Sequence, residues 1–420
     1  MSKVALWYLY DFANSFASSV VIFYFPLLLA QGGASDTWIG LSSAISTILL
    51  LLLYPALGHR ADMSYRKTMW YLWLSSLYMV VALLAMGIMT NIFSDHYPLL
   101  ILLLLSVAYI IFQISFQGSY VFYSAFMQHF EDAGLNKNRV SGFGMGLGQL
   151  GNAVSIGIMG SFVVVGSFGV FGISGKSLTL IFGAIIFMAL ALPFLSQKAH
   201  DAEWKRVSSI KKDFSLKVFL KKVFENKKLL YYLLGYMLVA DSVSVLQIYM
   251  TLYLKAVFGF TDKMSSAGGA MSLFILFLTC MTLGTLAYRI INKKKMLLIG
   301  GTVYVLAFLC FGIAPNAPVY AYISLAFAGM AYGLFFPLAR SLYSDIVPKE
   351  SQAEYFSSFV IFERAATIVG PIMWITIFYL LNSYPMEYRY RANVLVLSVI
   401  ACIGLILIHK SYSLKSEDIH

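Results

Sequence analysis

Residues 4–30 read VALWYLYDFANSFASSVVIFYFPLLLA. The run is long enough to cross a bilayer as a helix, yet its first half is not built like a simple anchor. Asp11, Asn14 and the small residues Ala13, Ser15, Ala17, Ser18 and Ser19 interrupt the Leu, Val and Phe. A carboxylate at the centre of a membrane helix costs about 2.5–3.5 kcal/mol on insertion scales unless it faces a polar cavity or a partner. Trp7–Ser15 therefore reads as a working stretch, with Asp11 and Asn14 as candidates for binding a substrate or a proton.

Outward from this helix the apolar pattern recurs. Twelve segments are marked at 4–30, 37–58, 68–90, 98–124, 142–166, 177–197, 229–254, 264–287, 296–314, 319–339, 357–381 and 392–409. Each has roughly the length a spanning helix needs at about 1.5 Å per residue. Backbone groups cannot stay unpaired in lipid, so each segment is expected as a helix. The fold class is an all-α membrane protein with twelve transmembrane helices. Composition agrees, since 60% of the 420 residues are hydrophobic and only 12% charged, too little charge for a soluble domain of this size. Cys280, Cys310 and Cys402 all lie in apolar runs and read as packing residues. The first run is too long for a cleavable signal, contains Asp11 and has no basic head beyond Lys3.

Cations set the expected orientation. Twenty-four of the 30 Lys and Arg fall at the termini or in the even-numbered loops, where Arg60, Arg66, Lys67, Arg289 and Arg340 are counted. Only Lys176, Lys255, Lys263, Arg389 and Arg391 fall in the odd loops, and Arg364 is left inside a helix. That asymmetry places both termini in the cytoplasm and makes the net charge of +11 a topology signal rather than a nucleic-acid footprint. The longest loop, 198–228, has ten basic residues, with Phe214, Val218, Phe219 and Val223 at helical spacing. It reads as an amphipathic helix on an anionic leaflet, as a solvated linker, or as both.

The loop divides the chain into an N-terminal six-helix bundle at 1–197, the basic linker at 198–228, a C-terminal six-helix bundle at 229–410 and a tail at 411–420. The halves echo each other. Gly58-His59-Arg60-Ala61-Asp62-Met63-Ser64-Tyr65-Arg66-Lys67 follows segment two as Gly284-Thr285-Leu286-Ala287-Tyr288-Arg289 follows segment eight. Asp241-Ser242-Val243-Ser244 in segment seven echoes Asp11 with Asn14 and Ser15, and Gly151-Asn152 aligns with Gly370-Pro371. Internal repetition of this kind marks transporters whose halves rock about a central site.

Twelve helices, a central basic loop and Gly58, Ala61, Asp62, Arg66 and Lys67 after helix two resemble the major facilitator superfamily, with Tyr65 replacing the second glycine of its loop pattern. The resemblance implies a cytoplasmic gate in which Asp62 pairs to stabilise the outward-facing state. Glu131 and Asp132 are possible acceptors for Arg66 or Lys67. More narrowly, Tyr10-Asp11-Phe12-Ala13-Asn14-Ser15, the run Ser141-Gly142-Phe143-Gly144-Met145-Gly146-Leu147-Gly148, and Arg340 through Glu354, Phe356 and Gly370-Pro371 resemble the autophagy-related vacuolar effluxer branch and its bacterial relatives. That branch implies amino-acid efflux. Two departures stand out: Glu363 has no counterpart in the pattern, and Ile114 precedes Gln117-Gly118 where the superfamily carries an arginine.

Four ionisable residues are placed well inside helices: Asp11, Asp241, Glu363 and Arg364. Glu363 and Arg364 are adjacent, point about 100° apart and need separate partners. Arg364 is expected to take Asp11 or Asp241, either as a static pair or as one that substrate or proton competes for. Asn14, Gln113, Gln117, Gln149, Asn152 and Gln247 serve either as ligands or as interhelical bridges, and Tyr8, Tyr10, Tyr236 and Tyr249 stand near the acids. The Gly142–Gly151 series reads as close helix packing, since no strand precedes it and no Gly-Lys-Ser/Thr follows.

The expected function is secondary active transport of a small polar solute by alternating access, proton-coupled, with an amino acid or related metabolite first. Siderophore, nucleoside and drug transport remain alternatives. A membrane-embedded enzyme is disfavoured because no H-E-x-x-H or G-x-S-x-G stands in the chain, and a channel or ATP-driven pump finds no filter or P-loop. No cofactor, metal or nucleic acid is expected. The expected partners are the solute, the bilayer and anionic lipid at 198–228. The chain is expected as a monomer of a bacterial inner membrane.

Overall fold

The structure, a computed structural model, describes residues 3–31, 36–62, 64–93, 97–132, 134–164, 175–197, 216–290 and 292–414. Among them, twelve long helices coincide with the twelve apolar segments. In the first half these are α1 (Lys3–Gln31), α2 (Asp36–Asp62), α3 (Tyr65–Ile92), α4 (Leu99–Asp132), α5 (Lys137–Val164) and α6 (Gly175–Leu195). After the short α7 (Leu216–Glu225) come α8 (Lys227–Phe258), α9 (Asp262–Ile290), α10 (Lys293–Ile313), α11 (Pro318–Ile346), α12 (Gln352–Leu380) and α13 (Met386–Ser413). A single 3-10 turn, Lys349–Ser351, precedes α12. Seven of the long helices are apolar and long enough to cross a membrane as searched among the described residues, and Met271–Thr282 and Val369–Leu380 are shorter apolar pieces.

Several helices outrun their apolar segments. Apolar content marks the thickness of the hydrocarbon, but a backbone gains nothing by unwinding when it reaches the headgroups. So α4 continues through Gln128 and His129 to Asp132, and α11 continues through Arg340 to Ile346. Local chemistry then sets the ends. Ser64 caps α3 by accepting from the Lys67 amide at 3.1 Å, and Asn226 caps α8 by accepting from the Leu229 amide at 3.0 Å. Pro318 occupies the first turn of α11. Gly259, with φ of 66°, closes α8 in the left-handed region that glycine tolerates best.

The chain forms two compact units. The first comprises Met1–Leu135, Leu147–Phe214 and Lys349–Ser357; the second comprises Asn136–Gly146, Ser215–Pro348 and Ser358–His420. Within the first, the most extensive packing joins α3 to α4, α1 to α6, α3 to α6 and α2 to α4. Within the second it joins α10 to α11, α8 to α13, α10 to α13 and α9 to α11. Counted from the first long helix of each half, these are the same four pairs, so the internal repeat is structural. At the α8–α13 crossing Gly235 and Gly404 bring two backbones together, and a side chain on either would meet the other's carbonyl.

The basic loop is described only from its α7 portion onward, and Phe214 lies outside the described residues. In α7, Phe219 and Val223 are buried, with α7 packed on α8, while Val218, Phe224, Lys217, Lys221 and Lys222 are exposed. Part of the apolar stripe expected to lie on lipid therefore faces protein.

Candidate substrate and proton site

In the first unit, Trp7, Tyr10, Asp11, Asn14 and Ser19 each have an interhelical hydrogen bond. Asp11 is buried, and its Oδ2 accepts from the Tyr123 hydroxyl at 2.7 Å. Tyr123 is itself fixed: the Trp7 indole N–H donates to its carbonyl at 3.1 Å, and the two rings stack 4.1 Å apart. The Ser119 hydroxyl donates to Asn14 Oδ1 at 2.9 Å, and Tyr10 and Ser76 share a bond of 2.8 Å. Ser19 donates to Asn152 Oδ1 at 2.7 Å, and Asn152 donates to Gln149 at 3.0 Å.

The glycine series explains why α1 and α5 come so close. A Cβ on Gly148 would meet Ser15 Oγ at 2.8 Å and Asp11 Oδ1 at 3.3 Å, and one on Gly151 would strike the Phe12 carbonyl. One turn on, Ser155 donates to the Phe16 carbonyl at 3.0 Å. The stripe Gly148, Gly151, Asn152 and Ser155 thus seats the acidic face of α1, as small-residue packing requires.

The second unit repeats the motif with different fittings. Asp241 on α8 is buried at 3% exposure, and its Oδ1 has no hydrogen-bond partner. The carboxylate fits because α12 has Gly370 opposite it, where a Cβ would collide with Oδ1 and with Val245. Tyr236 donates to Glu363 Oε2 at 2.9 Å while its ring stacks on Phe359 at 4.2 Å, which gives Glu363 its own partner. Gln247 is exposed, about 120° around α8 from Asp241, so it does not join this packing. Gln117 is buried in the first unit with Nε2 unbonded. The side chain of Arg364 lies outside the described residues, and so does its expected pairing with Asp11 or Asp241.

The loop after α2 acts through its acid. Asp62 is buried and accepts from the amides of Ala353 and Glu354 at 2.9 and 2.8 Å, capping the start of α12 within the first unit. Gly58, one turn earlier, makes the approach possible, because a Cβ there would lie 2.6 Å from the Ala353 carbonyl oxygen. His59 Nδ1 and Glu354 Oε2 stand 2.7 Å apart beside the cap. Arg66 and Lys67 are exposed on α3. The side chains of Glu131 and Asp132, the acceptors expected for them, lie outside the described ones.

One buried cation was missed by sequence reasoning, which counted Arg340 among the loops. It lies inside α11 at 1% exposure, with Nε donating to Ser141 Oγ and Nη2 to the Ser141 carbonyl, both at 3.2 Å. Ser141 in turn donates to the Pro337 carbonyl at 2.8 Å. His59 and Ser141 stand inside motifs the sequence shows, without a role of their own there, and Tyr123 had no signal that separated it from the other tyrosines. Among the described residues no group of three or more His, Cys, Asp or Glu is placed to hold a metal ion.

With this geometry in place, comparison with known proteins is specific. The sequence profile of the Major Facilitator Superfamily matches residues 7–371. An uncharacterised MFS-type transporter of Bacillus subtilis (strain 168), YxiO, is 26% identical over 391 residues, covering 87% of this chain and 86% of that one. A Na(+), Li(+), K(+)/H(+) antiporter of Planococcus maritimus is 23% identical over 120 residues, 28% of this chain and 27% of its own. Among solved structures, a bacterial homologue of the iron transporter ferroportin in an outward-facing state matches with a TM-score of 0.74 at 12% identity, covering 99% of this chain and 100% of that one. The E. coli fucose:proton symporter FucP also scores 0.74 at 12% identity, over 97% and 98%.

Proposed function

Because the chain belongs to the Major Facilitator Superfamily, a family of multi-pass membrane transporters rather than enzymes, we propose that it is a proton-coupled secondary transporter of a small polar solute, working by alternating access. An amino acid or a related metabolite is the substrate class we assign. The observation that carries the reading is Asp241, a buried carboxylate with one oxygen unbonded, set against a glycine on the neighbouring helix. A charge with an oxygen left unbonded in such a place is costly, and the cost is reduced by a proton or by a cationic group of a ligand. A site that alternates between those two occupants couples proton movement to solute movement.

The first unit supports the same reading from a second acid. Asp11 is held by Tyr123, and Asn14 and Asn152 stand one and several turns along the same packed helices. The Tyr10–Ser15 resemblance supports an amino acid, whose ammonium and carboxylate suit a mixed set of acids and amides. The antiporter and symporter names among the relatives belong to those proteins, and they add support for coupling to protons. The even-loop cations support a bacterial inner-membrane protein with cytoplasmic termini, two six-helix bundles joined by the 198–228 segment on the anionic leaflet, and a monomeric chain.

Reconstituted vesicles with an imposed pH gradient test the proposal. Labelled amino acids are expected to accumulate, to leave on adding an uncoupler and to ignore ATP. Accumulation of a nucleoside, siderophore or drug in place of amino acids would replace the substrate class while keeping the coupling. Solute movement that ignores the pH gradient would remove the coupling.

A further inference from the structure

Where α3 begins and α6 ends, the first unit has an open cavity of about 630 Å³ lined by Ser64, Arg66, Lys67, Met69, Trp70, Trp73 and Leu195. That volume is in the ordinary range for a bound small molecule. The lining has one polarity change and a single direction. Arg66, Trp70 and Trp73 recur at intervals of four and three, so they share a face of α3, and Lys67 lies three residues before Trp70. The two cations therefore stand at the helix start and the two indoles follow along the wall. The indole rings lie 6.3 Å apart and nearly parallel, and Trp70 is 59% exposed. Buried Met69 and Leu195 complete the apolar side.

We propose that this cavity is a binding site for an anionic phospholipid, with the headgroup phosphate between Arg66 and Lys67 and the glycerol and upper acyl chains along Trp70 and Trp73. Charge complementarity selects the headgroup: both charged groups among the lining residues are positive. The indoles select an amphiphile over a soluble anion. A free phosphate or metabolite has no apolar portion to cover an exposed indole pair, whereas a lipid presents charge and hydrocarbon in the order the wall presents cations and rings. Indoles favour the membrane interface for the same reason, and basic pockets between membrane helices bind anionic headgroups. Its lining residues include neither Asp11, Asp241 nor the residues of the α12 cap.

Tryptophan quenching in nanodiscs tests the assignment with the full chain. Phosphatidylcholine discs containing a minor fraction of brominated phosphatidylglycerol are compared with discs containing the same fraction of brominated phosphatidylcholine. The anionic quencher is expected to be the stronger, and the difference is expected to vanish in a Trp70→Phe/Trp73→Phe variant. Arg66→Gln and Lys67→Gln are each expected to weaken the headgroup preference roughly fivefold, the effect of one interfacial cation. Should either charge variant fail to fold, competition in the parent decides, with unlabelled phosphatidylglycerol expected to restore the fluorescence and unlabelled phosphatidylcholine expected not to. Equal quenching by the two lipids, or a preference that survives removal of the cations, overturns the proposal. Displacement of brominated phosphatidylglycerol by inorganic phosphate overturns it as well, and assigns the cavity to a soluble anion.

Discussion

Asp241 Oδ1 occupies the space that a side chain on Gly370 would fill. The acid and the glycine lie on different helices of one unit, and the pair has a counterpart in the other unit, where Gly148 faces Asp11 and Ser15. In both halves the first helix brings a carboxylate to the fifth, and the fifth yields by giving up its side chain. A methyl group at Gly370 must therefore displace either the carboxylate or the helix. Overpacking a tight contact costs about 1–3 kcal/mol. Gly370→Ala is expected to lower thermal stability in detergent by an amount of that order and to reduce transport more than Gly157→Ala, where a Cβ meets open space.

Removing the charge while keeping the shape separates coupling from packing. Asp241→Asn is nearly isosteric, so the contact with Gly370 persists. Counterflow exchange of labelled solute is expected to survive, and accumulation driven by a pH gradient is expected to disappear. Accumulation that remains and still depends on pH would take Asp241 out of the coupling.

Tyr123 provides the cleanest test of the first unit. Its ring is stacked on Trp7 and its carbonyl is held by the indole N–H, so Tyr123→Phe keeps the packing and removes only the donor to Asp11. Hydrogen bonds between membrane helices contribute about 0.6 kcal/mol on average, with a maximum near 1.7. A stability loss within that range is expected, together with a shift in the pH dependence of transport. An unchanged pH profile would show that Tyr123 only braces α1.

The extent to which the sequence foretold this arrangement follows from what each signal measures. The twelve helices were legible because hydrocarbon thickness fixes a length, and the repeat was legible because Asp11 and Asp241 both interrupt apolar runs. Arg340 was not, since hydropathy ends a segment where polarity begins and α11 carries on through that point. Its partner Ser141 is 199 residues away and is brought there only by the fold. Gln247 is a different case: its polarity inside an apolar run made it a candidate, and only the fold shows it exposed about 120° around α8 from Asp241. Tyr123 is one of 28 tyrosines, and only the fold sets its hydroxyl on Asp11.

The cap on α12 predicts a cooperative trio. Asp62→Ala leaves the Ala353 and Glu354 amides without their carboxylate. Losing a helix N-cap costs about 0.5–2 kcal/mol, and the charge on Asp62 favours the upper part of that range. His59→Gln and Glu354→Gln, made singly and together, are expected to show a coupling energy of roughly 0.5–3 kcal/mol, as contacting residues do. Additive effects in that cycle would mean that His59 and Glu354 contribute nothing to each other.

Arg340 and Ser141 make the last prediction, and the geometry of the guanidinium decides its sign. Two nitrogens of Arg340 reach two oxygens of one residue, Ser141 Oγ and the Ser141 carbonyl, while the same hydroxyl donates onward to Pro337. Ser141→Ala removes one acceptor and leaves the carbonyl, so the loss is limited to about 0.5–1.5 kcal/mol, the net worth of a typical hydrogen bond. Lysine keeps the charge but has a single compact head, which cannot span both oxygens from a planar fork. In a site exposed by only 1%, water does not make up the missing bonds, and a poorly satisfied buried charge costs about 1–3 kcal/mol or more. Arg340→Lys is therefore expected to destabilise the protein more than Ser141→Ala in thermal unfolding. If lysine is tolerated as well as arginine, the site reads charge alone and the two-oxygen hold is incidental.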